Sequence, residues 1–194
     1  MKNLIFFFVI FFIGCSSETN TEDLFTENEQ TEIDKLVADF DTLIMKYTQS
    51  RSVSRAYIAF AEKQNNAPTY EAYLDFLNKI IEDVDILIEN HRNDSIFDKI
   101  WYTAYGFKSR EKKDTLSVGL TLKLPGIYSQ FPGKTANKNE FIGMYKADLD
   151  DVNDLAPKMV DAFPYYIQDF NLKDKYQRFC IAVHYITVMS RKKY

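Results

Sequence analysis

Apolar side chains at Tyr70, Tyr73, Leu74, Leu77, Ile80, Ile81, Val84, Leu87 and Ile88 recur at three- and four-residue steps. Only a helix of about 3.6 residues per turn brings such positions onto one face, so this spacing predicts a long amphipathic helix with a face to bury. Thr69 is placed to cap its start, and His91-Arg-Asn-Asp94 ends it. A similar stripe precedes it: Ile33, Leu36, Val37, Phe40, Leu43, Ile44 and Tyr47, with Thr31 as N-cap and Asp34 in the first turn. Between them Ala56, Tyr57, Phe60 and Ala61 predict a helix from Val53 to Lys63, broken by Gln64-Asn-Asn-Ala-Pro68. Short connections suggest an antiparallel layer of three helices. The chain of 194 residues has only 6 Gly and 5 Pro, which suits long regular elements.

The middle of the chain changes period. Leu116, Val118, Leu120, Leu122 and Leu124 alternate with Ser117, Gly119, Thr121 and Lys123, the signature of a strand with one buried face, stopped by Pro125-Gly126. Upstream, Asp94, Ile96, Phe97 and Ile100 suit a short helix that passes into a strand at Trp101-Tyr-Thr-Ala-Tyr105. The two strands would pair across the charged loop Lys108-Ser-Arg-Glu-Lys-Lys113. Residues 126–139 read as a loop bearing Tyr128 and Phe131. A helix is expected around Leu149, Val152, Leu155, Met159 and Phe163, with Pro157 either kinking it or starting it. Phe179 to Met189 is apolar on all sides and rich in β-branched residues. It fits a buried helix or a central strand. Asp174 before it and Arg191-Lys-Lys193 after it favour the helix, since they complement its dipole. The expected fold is mainly α: a single helical domain with a small β-hairpin insertion. The alternative is α+β with a three-stranded sheet.

The first residues are of another kind. Lys2 is followed by an unbroken apolar run from Leu4 to Ile13, about ten residues long, the length of a signal-peptide core. A membrane-spanning helix needs roughly 20 such residues. The run closes on Phe12-Ile13-Gly14-Cys15, which resembles the lipobox of bacterial lipoproteins, with Phe12 where Leu is usual. The resemblance covers the signal peptide and lipobox only. It implies cleavage between Gly14 and Cys15 and acylation of Cys15, with palmitate-type chains as membrane anchor. One buried chain holds marginally and two or more hold stably. The expected organisation is a signal peptide over 1–14, a lipidated cysteine and acidic tether over 15–30, and the helical domain over 31–194. Ser16 after the cysteine resembles the pattern of lipoproteins sorted to the outer membrane. The expected location is therefore the cell envelope.

Composition narrows the partners. A formal charge of −4 argues against nucleic acid, whose binding is led by Lys and Arg on phosphates. With Cys15 acylated, Cys180 has no partner in the chain, so stability must come from packing. Cys180 and His184 stand four residues apart, the spacing of a nucleophile–base pair or half a zinc site, but only one other His exists to complete a metal set. The run Asp148-Leu-Asp-Asp-Val-Asn-Asp154 lacks the glycine and distal glutamate of a calcium loop and reads as helix N-terminal acids. No phosphate-loop, dinucleotide or serine-hydrolase motif occurs. No catalytic residue, metal or cofactor is assigned. Gly119-Leu-Thr-Leu-Lys-Leu-Pro125 with Tyr128 and Phe131 resembles a segment beyond the catalytic part of clostripain-like cysteine peptidases. The part that carries that family's dyad has no counterpart here, so no catalytic role transfers.

Tyr102, Tyr105, Tyr128, Phe131, Tyr165 and Tyr166 lie near loops and element ends and form the candidate binding set. The expected function is a non-enzymatic binding module anchored by lipid, with a protein partner and no nucleic acid. The alternatives are an envelope enzyme using Cys180 and His184, and a structural envelope lipoprotein.

Overall fold

A computed structural model describes residues 24–107, 116–135 and 140–191. Gly14, Cys15 and the hairpin tip at 108–113 lie outside the described residues.

The first helix, α1 (Glu27–Thr48), starts earlier than the stripe suggests. Thr26 and Glu29 form a reciprocal capping box, with Glu29 N donating to Thr26 Oγ1 at 3.3 Å and Thr26 N donating to the Glu29 carboxylate at 2.9 Å. Thr31 is inside the helix, donating to the Glu27 carbonyl. Phe25 is buried against Phe131 and Phe179 at ring separations of 5.8 and 6.2 Å. Residues 24–30, expected as part of an acidic tether, therefore belong to the folded domain. Their polar composition hid one apolar anchor and one cap.

Two helices follow, α2 (Val53–Asn65) and α3 (Tyr70–His91), the latter capped by Thr69. α1 and α3 run antiparallel: Tyr47 Oη donates to the Lys79 carbonyl at 2.5 Å, and His91 meets Asp39 at 3.0 Å. His91 is buried, and its other ring nitrogen lies 2.6 Å from Asp94. α2 joins both helices through Tyr57, whose hydroxyl donates to Asp41, and through Phe60, which packs on Phe76.

Short α4 (Ser95–Ile100) runs directly into β1 (Trp101–Phe107), which pairs antiparallel with β2 (Leu116–Leu122). The expected helix-to-strand passage is present. The described sheet has these two strands alone.

Residues 126–139, read as a loop, contain α5 (Ile127–Thr135). Gly126 and Pro132 suggested a loop, but Tyr128 and Phe131 are one helical turn apart on its buried side. α6 (Glu140–Val152) and α7 (Pro157–Ala162) replace one longer helix. Asn153 breaks the path with a left-handed φ of 52°, and Pro157 starts α7 at a position where its missing N–H costs nothing. The acids at 148–151 therefore fall in the last turns of α6, not at a helix N-terminus. Neighbouring cations offset the unfavourable dipole: Lys146 on Asp150, and Lys158 on Asp148 at 2.9 Å. A 3₁₀ helix (Phe163–Asp169) and α8 (Lys175–Arg191) complete the chain.

The ambiguous apolar run is α8, buried all round from Phe179 to Ser190. α1, α3, β2 and α5 surround it. Several of its polar side chains find partners within the core. Thr187 Oγ1 accepts from Trp101 Nε1 at 2.8 Å and donates to the Val183 carbonyl, and Gln177 Oε1 accepts from the Asn171 amide at 2.6 Å. At the side of α8, Arg178 pairs with Asp41 at 3.1 Å. Burial pushes the Asp41 carboxyl above its usual range, with Tyr57 and Arg178 offsetting only part of the shift.

Candidate functional site

The aromatic set divides by burial. Tyr128 and Phe131 are fully enclosed. The Tyr128 hydroxyl lies 3.2 Å from that of Tyr145 and donates to the Cys180 carbonyl at 3.3 Å. Tyr166 is partly buried and stacks on Phe141 at 4.2 Å. The Tyr105 side chain lies outside what the structure describes. Tyr102 and Tyr165 remain on the surface, 48% and 59% exposed. They are on different elements, β1 and the 3₁₀ helix, and only Tyr165 lines a described hollow.

Cys180 and His184 are also enclosed, at 1% and 0% exposure. Burial holds the Cys180 thiol far above its ordinary pKa, the reverse of what a nucleophile needs. His184 stacks flat on Phe163 at 3.7 Å, with Nδ1 3.4 Å from the Tyr145 hydroxyl. The i,i+4 spacing reflects a core helix, and no substrate can reach either group. The enzyme alternative built on this pair is set aside. Among the described residues no cluster of His, Cys, Asp and Glu is suited to a metal ion.

Among the described residues, α2 borders two hollows with partly apolar linings. Its inner stripe (Ala56, Tyr57, Phe60, Ala61, Gln64) is buried. Ile58 lies off that stripe and is 39% exposed. With Ala61, Glu62 and Asn65 it forms one wall of a cleft of about 170 Å³, facing Pro164, Tyr165 and Gln168 of the 3₁₀ helix. Phe163 and Ile167 are buried in the core and Pro164 is buried beneath the cleft wall, which leaves Tyr165 exposed at the rim. On the other side of α2 a wider trough of about 470 Å³ has a floor of Ala59, Ala67, Pro68, Ala72 and Phe76. Lys63 arches over the Phe76 ring, 5.5 Å from its centroid, and donates to the Tyr47 carbonyl at 2.9 Å. Glu62 lines both hollows.

Of these residues the sequence pointed only to Tyr165. Ile58 had a visible signal: an apolar residue on the polar side of the α2 stripe. Glu62, Asn65 and Gln168 had none, because their role depends on how α2 lies against the 3₁₀ helix.

Among the described residues no helix is long and apolar enough to cross a membrane. Comparison of the chain with protein-family models, curated proteins and solved structures finds no match.

Proposed function

We propose that this chain is a lipid-anchored lipoprotein of the bacterial envelope, held in the outer membrane through acylated Cys15, and that it works as a non-enzymatic binding module for a partner protein. The observation that carries the binding reading is the α2 edge. Two large apolar side chains, Ile58 and Tyr165, stand exposed on a cleft whose rim of Glu62, Asn65 and Gln168 is polar and mostly uncharged. Tyrosine on such a rim buries a large ring while keeping a polar tip, at small entropic cost. The partner is a protein segment that places an apolar side chain in the cleft and backbone groups against the amides of Asn65 and Gln168. The anchor reading is supported by the apolar run ending in Gly14-Cys15.

A photo-cross-linking residue at position 165 of the full chain, in cells that naturally make it, is expected to yield one discrete adduct. The protein in that adduct, purified, should bind wild type and lose about tenfold affinity to Tyr165→Ala or Ile58→Asp, as expected for an interface anchor. Scattered adducts, or affinity unchanged by both substitutions, would remove the α2 edge from the proposal. The anchor is tested separately by mass spectrometry of the N-terminal peptide, where acylated Cys15 is expected, and by release of Cys15→Ala from the membrane fraction.

A further inference from the structure

The two edges of the β1–β2 ribbon are treated differently. The Lys123 amide donates to the Ile100 carbonyl at 2.7 Å, and Trp101 stands opposite Leu122. In an antiparallel ladder this register turns the main-chain groups of Tyr102, Ala104 and Gly106 toward β2. Those of Trp101, Thr103, Tyr105 and Phe107 point away from it, as do those of Leu120 and Leu122 on the far side.

The β2 edge is closed. Leu120 N donates to Ser190 Oγ at 2.9 Å, and its carbonyl accepts from Arg191 Nε at 2.8 Å. On the β1 edge the Trp101 amide donates to the Phe97 carbonyl. Among the described residues no hydrogen bond reaches the main-chain N–H or C=O of Thr103. An open edge of this kind is a template for another strand, and proteins normally blunt it.

The outer face of β1 indicates which strand fits. Tyr102, Ala104 and Gly106 follow one another there, from large to small to no side chain, with Tyr102 48% exposed. A copy of β1 laid antiparallel and centred on Ala104 sets Gly106 of the second chain beside Tyr102, and Ala104 beside Ala104. Bulk is complementary along this outer face. An aromatic ring over a cross-strand glycine is a favourable pairing. The central alanines fall at a non-hydrogen-bonded pair, where Cα atoms approach to about 4.5 Å and small side chains are needed.

We propose that β1 binds β1 of a second copy of this chain in antiparallel register centred on Ala104, fusing two hairpins into one continuous sheet. The edge is 7 residues long, so the contact is small. Interfaces below roughly 1,200 Å² are weak and transient, and this one belongs to copies held close together rather than to dilute solution.

Cysteine cross-linking of the full chain in cells tests it. Ala104→Cys is expected to form a disulfide-linked dimer under mild oxidation, since about 4.5 Å between Cα atoms is within bonding range. Tyr102→Cys places the two thiols about 13 Å apart along the paired strands, so its yield should be about tenfold lower, close to that of wild type. Adding Gly106→Val to Ala104→Cys fills the space Tyr102 of the second copy needs, while valine favours the strand itself, and the cross-link should be lost. Adding Thr103→Pro removes an outward N–H without touching the β1–β2 ladder and should have the same effect. Limited proteolysis identifies folded variants. Equal yields from Ala104→Cys and Tyr102→Cys, or a cross-link that survives Gly106→Val or Thr103→Pro in folded protein, would overturn the proposal.

Discussion

Gly119 is the residue on which the join between the ribbon and α8 depends. A Cβ there would meet Arg191 Cγ at 3.2 Å, Arg191 Cα at 3.3 Å and the Ser190 carbonyl at 3.4 Å. Two of these three atoms are main chain and cannot swing aside. Gly119→Ala should therefore push α8 away from Leu120 and strain both bonds that close the β2 edge. The expected cost is about 1–3 kcal/mol, seen as a lower urea midpoint with an unchanged slope. An unchanged midpoint would show that the contact can relax freely. The same scale explains what the sequence could and could not give about sites. Tyr165 and Tyr102 were legible as surface aromatics because each adjoins a break in an apolar pattern. Tyr128 and Phe131 looked identical in that respect. Their burial depends on α5 docking against Phe25 and Phe179, a long-range contact with no local trace.

Among the elements, the helices with long stripes were legible because periodicity is a local property. α5 was not, since one proline and one glycine outweighed a two-residue face. The N-terminus of α1 was missed for the opposite reason. A cap and an anchoring phenylalanine sit inside an acidic stretch that by composition should be disordered. This gives a direct comparison. A chain beginning at residue 24 and one beginning at residue 31 differ only in that stretch. The shorter one loses buried Phe25, the Thr26–Glu29 capping box and the ion pair from Glu29 to Lys99. Losing a buried phenylalanine costs about 3–5 kcal/mol, and losing a cap typically about 1 kcal/mol. The chain from 31 should melt well below the chain from 24 in scanning calorimetry. Equal transitions would show that residues 24–30 add nothing to the stability of the fold.

For the molecule as a whole, acid should weaken the join where α1 meets α4. Burial tends to raise the pKa of Glu29, but Lys99 together with the amide and hydroxyl of Thr26 outweighs it and holds the carboxyl below its ordinary 4.5. Glu32 is lowered in the same way, burial being outweighed by the Ile96 amide, Ser95 and Asn28. The unfolded chain thus takes up these protons before the folded one. Their contribution is complete above about pH 4.5 and is lost as pH falls through the lower folded values. Asp41, raised mainly by burial, has the opposite sign. Glu29→Gln with Glu32→Gln should lower the urea midpoint at pH 7 and flatten its decline in acid. A decline as steep as that of wild type would assign the acid sensitivity elsewhere.

Because α8 is enclosed by elements that all precede it in the chain, synthesis order matters to when the fold can exist. α2 already joins α1 and α3, but the flanks of those two helices that face α8 stay uncovered until residues 175–191 have been made. Without α8 the helices that surround it lack their central packing surface, and helical stability in proteins comes mostly from such packing. The core is complete only when α8 lies among the elements that enclose it.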